Sequence, residues 1–412
     1  MREMKNSGFE WIGTIPCHWN LMRIANLYRV RNQKVSDKDF PPLSVTMKGI
    51  VTQLETAAKT NDGDNRKLVR VGDFAINSRS DRRGSCGISA LDGSISLINT
   101  VLMPLSEMNP RYYNWLFHTV QFADEYYKCG HGIVDDLWTT TWQEMKKIVI
   151  PTPPLDEQKK IAEFLDAKCS EIDALIADIQ AQIETLEQYK RSTIAEAVTK
   201  GLDSKVALKD STLEWIGKIP VHWEIKPNKY LMKKLKQIQP IYDGEDIISL
   251  TVNGVIKRDL DNPSGKMPTS FDGYQFVYPG NLLMCLFDID VTPRCIGLIK
   301  DFGLTSPAYS QFVLNKGVDA GYYYYYYLNL DFNKELLHLA KNQRHSLNEE
   351  QFGAIKTVVP PLEEQVAIAK YLDKRCDEIN KCVSTKQEQI ATLEAYKKSI
   401  IFEYVTGKKE IV

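Results

Sequence analysis

An internal repeat constrains this chain more than any other feature of its sequence. Residues 10–19 read EWIGTIPCHW and residues 214–223 read EWIGKIPVHW, so eight of ten positions are identical at an offset of 204. A second pair of segments, PPLDEQ at 153–158 and PPLEEQ at 360–365, matches at an offset of 207. Ordered self-similarity of this kind indicates one architecture built twice. The 412 residues therefore divide into two halves of similar plan.

Each half combines a variable part with a strongly repeated part. Between the two motifs the halves share little, and short apolar runs bounded by turn residues predict mixed α/β units. After each Pro-Pro pair, an acidic first turn and a long apolar pattern predict a helix. We expect an α+β protein with mixed α/β units over 1–154 and 204–361 and long helices over 155–203 and 362–412.

The apolar residues of both helices alternate in steps of three and four, which is the spacing of a coiled-coil seam. We expect the helices to form an antiparallel coiled coil, with a pseudo-twofold axis relating the repeats. Lys386 interrupts the second seam and is expected to help fix its register. The seam residues are Leu165, Ile172, Ile176, Ile179, Ile183 and Leu186 in the first helix, and Leu372, Ile379, Val383, Ile390 and Leu393 in the second.

The composition excludes several classes of protein. A net charge of -1, with 43% hydrophobic and 25% charged residues, is typical of a globular protein. The chain contains no run of about 18 apolar residues, so we expect no membrane helix. The beginning of the chain is polar, so we expect no secretory signal. The eight cysteines show no CxxC or zinc-finger spacing, which favours free thiols, no metal site and a reducing, cytoplasmic location.

The sequence contains no convincing catalytic constellation. It has no GxxxxGK[ST] phosphate loop and no GxGxxG after a strand. NPRY at 109–112 is similar to the Asn/Asp-Pro-Pro-Tyr motif of amino-methyltransferases, but its third position is arginine and it opens a predicted helix. Glu157 and Lys159, with Asp135 and Asp136 upstream, imitate a nuclease metal site. Two alternative functions remain for the chain: a stand-alone DNA methyltransferase or nuclease, and a coiled-coil scaffold without DNA contact.

Polar loops in the variable units carry the candidate nucleic-acid contacts. In the first unit an arginine-rich loop follows a predicted strand, and Arg, Asn and Ser side chains can bond to base edges or phosphates. The matching loop of the second unit is less basic, and a further turn in each unit adds cations. The candidates are Lys48, Asn77, Arg79, Arg82, Arg83 and Ser85 in the first unit, and Lys257, Arg258, Thr292 and Arg294 in the second.

Two other features suggest functions that we do not favour. The tyrosine run at 322–327 could stack on bases, but its partner in the first half is an ordinary amphipathic helix, so we expect most rings to pack. His18 and His222 lie near no nucleophile or carboxylate pair in the sequence. We expect both histidines to have a structural role at the start of each unit.

Together, the doubled motifs resemble the specificity subunit of type I restriction-modification systems. The family pattern is EWIGxIPxHW followed by IPxPPLxEQxxIAxxLD, with the whole arrangement repeated. Residues 10–19 and 150–166 match it, as do 214–223 and 358–373, although the second copy lacks one proline. The resemblance covers essentially the full chain. It implies two target recognition domains that each read one half of a bipartite, asymmetric DNA site, with the paired helices setting the spacing between the halves.

The resemblance also implies partners and cofactors. Subunits of this family are not catalysts; they dock two modification subunits, which methylate adenine N6 with S-adenosylmethionine. Restriction subunits add ATP-dependent translocation and cleavage. We expect this chain to bind double-stranded DNA and no cofactor, with S-adenosylmethionine, ATP and Mg²⁺ held by the other subunits. Because the chain is nearly neutral, partner subunits are expected to supply much of the phosphate contact.

Overall fold

The computed structural model describes residues 2–54, 62–105, 108–132, 138–263, 265, 267–340 and 345–411. Their contacts divide the chain into two compact units. The first unit contains Met1–Ile179 and Gln387–Val412, and the second contains Gln180–Lys386. Each unit therefore combines a globular part with the beginning of one long helix and the end of the other.

Short antiparallel strands form most of the first globular part. Its strands are β1 (Met4–Asn6), β2 (Thr14–Pro16), β3 (Asn20–Arg23), β4 (Tyr28–Val30), β5 (Lys34–Val35), β6 (Leu43–Thr46), β7 (Gly49–Thr52), β8 (Arg66–Val69), β9 (Phe74–Asn77), β10 (Cys86–Ile88), β11 (Gly93–Ile95), β12 (Asn99–Pro104) and β13 (Val149–Thr152). Its short helices are α1 (Pro110–Phe117), α2 (Val120–Lys128) and α3 (Trp142–Met145). Sheets of order β10-β9-β12-β4 and β11-β8-β5 are accompanied by the pairs β1-β2, β3-β13 and β6-β7.

The second globular part repeats this plan in the same chain order. The long helix α4 (Leu155–Lys200) comes first, and then β14 (Leu208–Asp210), β15 (Lys218–Pro220), β16 (Glu224–Pro227), β17 (Met232–Leu235), β18 (Ile248–Thr251), β19 (Gly254–Lys257), β20 (Gln275–Val277), β21 (Leu282–Met284), β22 (Ile296–Leu298), β23 (Gly303–Thr305), β24 (Ser310–Leu314), α5 (Ala320–Phe332), α6 (Glu349–Ala354), β25 (Lys356–Val359) and α7 (Leu362–Val405). A sheet of order β17-β24-β21-β22 is accompanied by the pairs β14-β15, β16-β25, β18-β19 and β20-β23. Sequences that differ between the repeats thus support one topology.

The long helices α4 and α7 confirm the predicted helical segments. They contain 46 and 44 residues, which corresponds to roughly 65–70 Å each at the rise of an α-helix. They end at Lys200 and Val405, before the predicted limits at 203 and 412. Gly201 and Gly407 follow with φ of 77° and 70°, a left-handed conformation that suits glycine at a helix end. Among the helices of the described residues, none is long and apolar enough to cross a bilayer.

The helices run antiparallel within the first unit. The Lys397 Nζ atom donates to the Asp173 carboxylate at 2.6 Å, and the ring centroids of Phe164 and Tyr404 lie 4.4 Å apart. Residue numbers therefore rise along α4 as they fall along α7, as predicted for an antiparallel pair.

The same direction holds within the second unit. The Lys190 Nζ atom donates to the Asn380 side-chain oxygen at 2.8 Å. Lys386, which interrupts the apolar seam, donates to the Gln182 side-chain oxygen on α4. A polar contact thus replaces an apolar one at this position of the seam.

The predicted seam residues are all buried or half-buried. This is the burial that an apolar seam between two helices requires, because residues on the outer face of a helix pair are exposed. The buried members are Leu165, Ile172, Ile183, Leu372, Ile379 and Val383. The half-buried members are Ile176, Ile179, Leu186, Ile390 and Leu393.

A tyrosine from each globular part binds the end of a long helix. The Tyr112 hydroxyl donates to the Val405 carbonyl at 2.7 Å, and the Tyr322 hydroxyl donates to the Val198 carbonyl at 2.9 Å. Carbonyls in the last turn of a helix have no intrahelical partner, so these bonds satisfy groups that would otherwise be orphaned in the core. Tyr112 and Tyr322 are fully buried.

Burial of the tyrosine run excludes base stacking for most of its rings. Tyr323, Tyr326 and Tyr327 are also fully buried, and Tyr325 is buried with its hydroxyl donating to the Asp373 carboxylate at 2.8 Å. The prediction that most of these rings pack in the core is confirmed.

Truncation of a side chain to alanine should lower the free energy of unfolding more at a buried seam position than at an exposed position of the same helix. We expect Ile172→Ala to lower the free energy of unfolding by about 2–5 kcal/mol, because it leaves a cavity in the buried seam. Leu175→Ala is the control on the same helix; Leu175 is 53% exposed, and its truncation should change stability by about 0.5 kcal/mol or less. Chemical unfolding of the full chain measures both values. Equal destabilisation in the two variants would contradict the assignment of the seam.

Candidate nucleic-acid interface

A hairpin of the same shape projects from each globular part. In the β6–β7 hairpin the Thr46 hydroxyl donates to the Gly49 carbonyl at 2.9 Å and accepts from the Lys48 backbone N–H at 3.1 Å. The β18–β19 hairpin repeats this arrangement with Thr251 and Gly254. The two glycines have φ of 103° and 106°, which side chains rarely allow. Both tips are therefore held in one conformation, and Lys48 is exposed at the first.

The first hairpin packs beside the arginine-rich loop. Strands β6 and β7 contact β10, the strand that follows this loop. At Gly87 of β10, a Cβ atom would lie 2.8 Å from the Gly49 Cα atom, so the two backbones touch. Arg79, Arg82 and Arg83 in the loop are exposed. The fold thus brings Lys48 and these three arginines, which are distant in sequence, to neighbouring loops.

The arginines of this loop differ in their partners. Arg82 lies 3.5 Å from the Asp81 carboxylate but is 67% exposed, so it keeps most of its surface for an external ligand. Arg83 forms an ion pair with Asp124 and lies over the Tyr127 ring at 5.8 Å. Surface ion pairs are weak and exchange readily, so a phosphate or base edge can compete for either guanidinium.

Arg79 lines a cavity of about 410 Å³ next to the loop. Lys67, Thr141 and Trp142 also line it, so the walls carry charge, hydroxyl and aromatic groups. Burial lowers the pKa of Lys67, whose ammonium donates to the Asn99 carbonyl at 2.6 Å. The sequence did not point to Lys67 or Trp142, because the residues that form the cavity come from strands, loops and a helix that are far apart in the chain.

Some predicted contact residues have partners inside the fold instead. Asn77 and Ser85 are each 6% exposed, and the Asn77 side chain accepts from the Arg79 backbone N–H at 3.0 Å. In the second unit the Thr292 hydroxyl donates to the Phe287 carbonyl at 3.5 Å. Asn77 and Ser85 therefore shape their loop rather than face a ligand, whereas Thr292 is half-buried.

Arg294 also serves the fold of the second unit. Its guanidinium donates to the Val252 carbonyl at 3.1 Å in the hairpin tip and to the Tyr324 hydroxyl at 2.5 Å on α5. It therefore ties the hairpin to the helix, and it is unavailable for base contact in this conformation. Lys257 is exposed but lies 2.7 Å from Asp246, and Arg258 is half-buried. The second surface is accordingly less basic than the first.

Two exposed apolar side chains at the hairpin tips were missed by the sequence analysis. Met47 is 71% exposed and Val252 is 61% exposed, at equivalent positions of the two tips. Apolar side chains can contact the thymine methyl group or a base step. The signal in the sequence was an apolar residue directly after the threonine of each tight turn.

The two repeated motifs meet at the base of each unit. In the first unit the Trp19 indole N–H donates to Glu157 Oε2 at 2.9 Å, and His18 Nε2 lies 2.6 Å from Glu157 Oε1. The second unit repeats both contacts on Glu364, with Trp223 and its neighbouring histidine at the same distances. The structural role expected for the two histidines is therefore a hydrogen bond to the first turn of a long helix.

Strand pairing explains why motifs so far apart in sequence come together. β3 directly follows the first motif, β13 directly precedes the second, and the two strands pair with Asn20 opposite Thr152. In the second unit β16 pairs with β25, and Glu224 lies opposite Val359. Each globular part therefore begins and ends at one place, directly beside the start of a long helix.

The residues behind the enzyme alternatives are engaged in structural contacts. The Asn109 side chain caps α1 by accepting from the Arg111 backbone N–H at 2.9 Å, so NPRY is a helix start. Glu157 is held by the tryptophan and histidine described above. Asp135 and Asp136 lie outside the described residues. Neither a methyltransferase motif nor a nuclease site is assembled from the described members of these sets.

The environment of Glu157 shifts its pKa downward. Burial alone would raise the pKa of this carboxyl, but hydrogen bonds from His18, Trp19 and Arg2 and the charge of His18 together outweigh burial. A carboxyl whose pKa is lower in the folded chain than in the unfolded chain stabilises the fold above its ordinary pKa of 4.5, and this stabilisation is lost as pH falls through the lower, folded value.

We therefore expect a pH-dependent effect of Glu157→Gln. At pH 7 the variant should lose about 1–3 kcal/mol of stability, because a charged acceptor of several hydrogen bonds is removed. The difference from the original chain should shrink as pH falls below about 4.5, where the carboxylate becomes protonated. Glu163→Gln, at an exposed position of the same helix, is the control and should change little at any pH. A constant difference across the pH range, measured by chemical unfolding, would contradict this role of the charge.

A family profile and a curated relative match the chain. The profile described as "Type I restriction modification DNA specificity domain" matches residues 19–185 and 299–392, which is more than half of the chain. The MjaVIII type I restriction enzyme specificity subunit of Methanocaldococcus jannaschii is 26% identical, over 96% of this chain and 93% of its own.

Solved structures share the fold. One chain, from a study of complex assembly and conformational transition of the type I R-M system, aligns with a TM-score of 0.72 at 13% identity, covering 96% of this chain and 99% of its own. The HsdS subunit from Thermoanaerobacter tengcongensis aligns with a TM-score of 0.53 at 15% identity, covering 98% and 100%. Sequence, fold and the paired motifs agree, and the chain belongs to the type I restriction-modification DNA specificity family.

Proposed function

We propose that this chain is the DNA-recognition part of a type I restriction-modification complex, in which each globular unit reads one half of a bipartite, asymmetric site. One observation carries the proposal: the two units share topology and junction but differ in the loops beside their hairpins. The first loop presents exposed arginines, whereas the second holds its arginine internally. Two units with the same topology but different loop surfaces suit the recognition of two different half-sites.

The long helices fit two further roles, spacing and docking. A continuous helix of 46 residues is a stiff element that can fix the separation of two half-sites. Tyr189 and Tyr396 occupy equivalent positions in the two helices and are 48% and 47% exposed. Equivalent exposed aromatic residues favour docking of two copies of one partner, since tyrosine is enriched at protein interfaces. We assign this role to two modification subunits.

Catalysis is assigned to the partner subunits. In this proposal the modification subunits bind S-adenosylmethionine and methylate adenine, and restriction subunits use ATP and Mg²⁺ to translocate and cleave double-stranded DNA. The chain itself is non-catalytic and binds no cofactor. The scattered cysteines, which are all free thiols, support a location in the reducing cytoplasm.

Exchange of one unit tests the proposal directly. Replacing residues 20–150 with the corresponding segment of a family member of different specificity keeps Trp19 and Glu157, which join the first globular part to α4. We expect the methylated sequence to change in one half only. The equivalent exchange in the second unit should change the other half only. Mapping methylated adenines in the genome of cells with and without each chimera measures this, and a change in both halves would overturn the modular assignment.

Arginine substitutions test the first surface. Arg82→Ala and Arg83→Ala, each in the assembled complex, should weaken binding to the cognate sequence by about 1–3 kcal/mol where the arginine hydrogen-bonds to a base. If the arginine binds phosphate instead, binding should weaken on all sequences and the salt dependence should fall. Arg23→Ala is the control, because Arg23 is exposed on β3 beside the helix junction. Unchanged affinity and specificity in both loop variants would remove the loop from the interface.

A further inference from the structure

Arg2 occupies a socket at the junction of the first unit. Its guanidinium lies 3.1 Å from Glu157 Oε2 and donates to the carbonyls of Gly407 at 3.3 Å and Lys409 at 3.2 Å. The guanidinium carbon also lies 5.5 Å from the centre of the Trp19 ring. The socket therefore consists of a carboxylate, the carbonyls that follow a long helix, and an indole ring. This donor and acceptor pattern matches the planar fork of a guanidinium.

The second unit repeats the glutamate and the segment after a long helix, with another residue at the position of Arg2. The repeat offset of 204 aligns Arg2 with Val206, and each lies two residues before the first strand of its unit. A cavity of about 230 Å³ is found there. Gly201 and Asp203 line it from the segment after α4, as do Val206 and Glu364. A single water needs only about 10–15 Å³ of such space, so a larger group fits.

The acidic groups of the cavity favour a cation with several donors, and Leu202, Pro220, Ala367 and Ile368 supply apolar walls beside them. The Glu364 carboxylate is 39% exposed, against 29% for Glu157 beneath Arg2, so it retains acceptor surface. The segment after α4 adds negative potential, because the end of a helix carries partial negative charge. Lys200 and His222 also line the cavity, and His222 is already paired with Glu364 at 2.6 Å. A planar guanidinium suits a carboxylate beside the end of a long helix, which is the place that Arg2 occupies in the first unit.

We propose that the cavity at Val206 binds a guanidinium group from outside the second unit. The chemistry is that of an arginine side chain, and two sources can provide it: an arginine of a partner protein, or a free guanidino compound. The residues that line the site are none of those proposed to contact DNA, and the site does not depend on the function proposed for them. It forms a contact point at the place where the second globular part joins α7.

Titration of the full chain with ethylguanidinium tests the site, with ethylammonium as the probe of equal charge. We expect saturable binding of one ethylguanidinium per chain by calorimetry, with weaker binding of ethylammonium. Val206→Arg should abolish binding and raise the melting temperature, because the new side chain fills the cavity. Glu364→Gln should weaken binding about tenfold or more through removal of a charged acceptor. Since this carboxylate also supports the fold, Val206→Arg is the decisive variant.

Arg2→Val provides the matched gain of function. Removing Arg2 opens the equivalent socket of the first unit, so the number of ethylguanidinium molecules bound per chain should rise from one to two. Absence of saturable binding, equal binding of the two probes, or binding that survives in Val206→Arg would overturn the proposal.

Measurements on the assembled complex distinguish a partner arginine from a free guanidino compound. Only these measurements rest on the proposed function, because they need the partner subunits. If a partner arginine fills the cavity, the complex will not bind ethylguanidinium and Val206→Arg will weaken assembly. If the source is a free compound, the complex will bind ethylguanidinium as the chain does and Val206→Arg will assemble normally. Either result supports the site and assigns its source.

Discussion

In each unit, a hydrogen bond between a tryptophan and a glutamate joins the globular part to the long helix that follows it. The Trp19 indole reaches Glu157, and Trp223 reaches Glu364, at 2.9 Å in both cases. Each glutamate sits in the first turn of a long helix, where a negative charge is favourable. The glutamate side chain thus accepts the hydrogen bond of the buried indole N–H, stabilises the start of the helix and joins the globular part to that helix. The motifs repeat so faithfully because the same geometry is required twice.

Buried tyrosines that recur in both repeats hold the more variable parts of the chain by bonding to the backbone. Hydroxyl groups of buried tyrosines donate to backbone carbonyls, as Tyr322 does to Val198 and Tyr323 to Val358. A backbone carbonyl is present whatever the residue, so such bonds tolerate change in the surrounding sequence. Loops beside the hairpins can therefore diverge while the core that supports them keeps its form.

Local periodicity made the helices predictable from sequence, because the residues concerned are neighbours along one helix. The repeat was predictable because near-identical segments recur at offsets of 204 and 207. The side-chain partners of the loops were not predictable in this way. Arg294 binds Val252 and Tyr324, which are 42 and 30 residues away, and so it supports the fold where a DNA contact was expected. Asn77 was expected to face DNA and is buried. Packing between segments that are distant in the chain decides which loop residues remain available, and the local sequence does not show it.

The division of the helices between the units imposes an order of folding during synthesis. The second unit is one continuous stretch, Gln180–Lys386, whereas the first needs Gln387–Val412 to complete its core. Ile401 and Val405 are buried in that core, and they follow the whole of the second unit in the chain. A ribosome therefore releases every residue of the second unit before the first can close. The N-terminal part, although made first, is the last to reach its final stability.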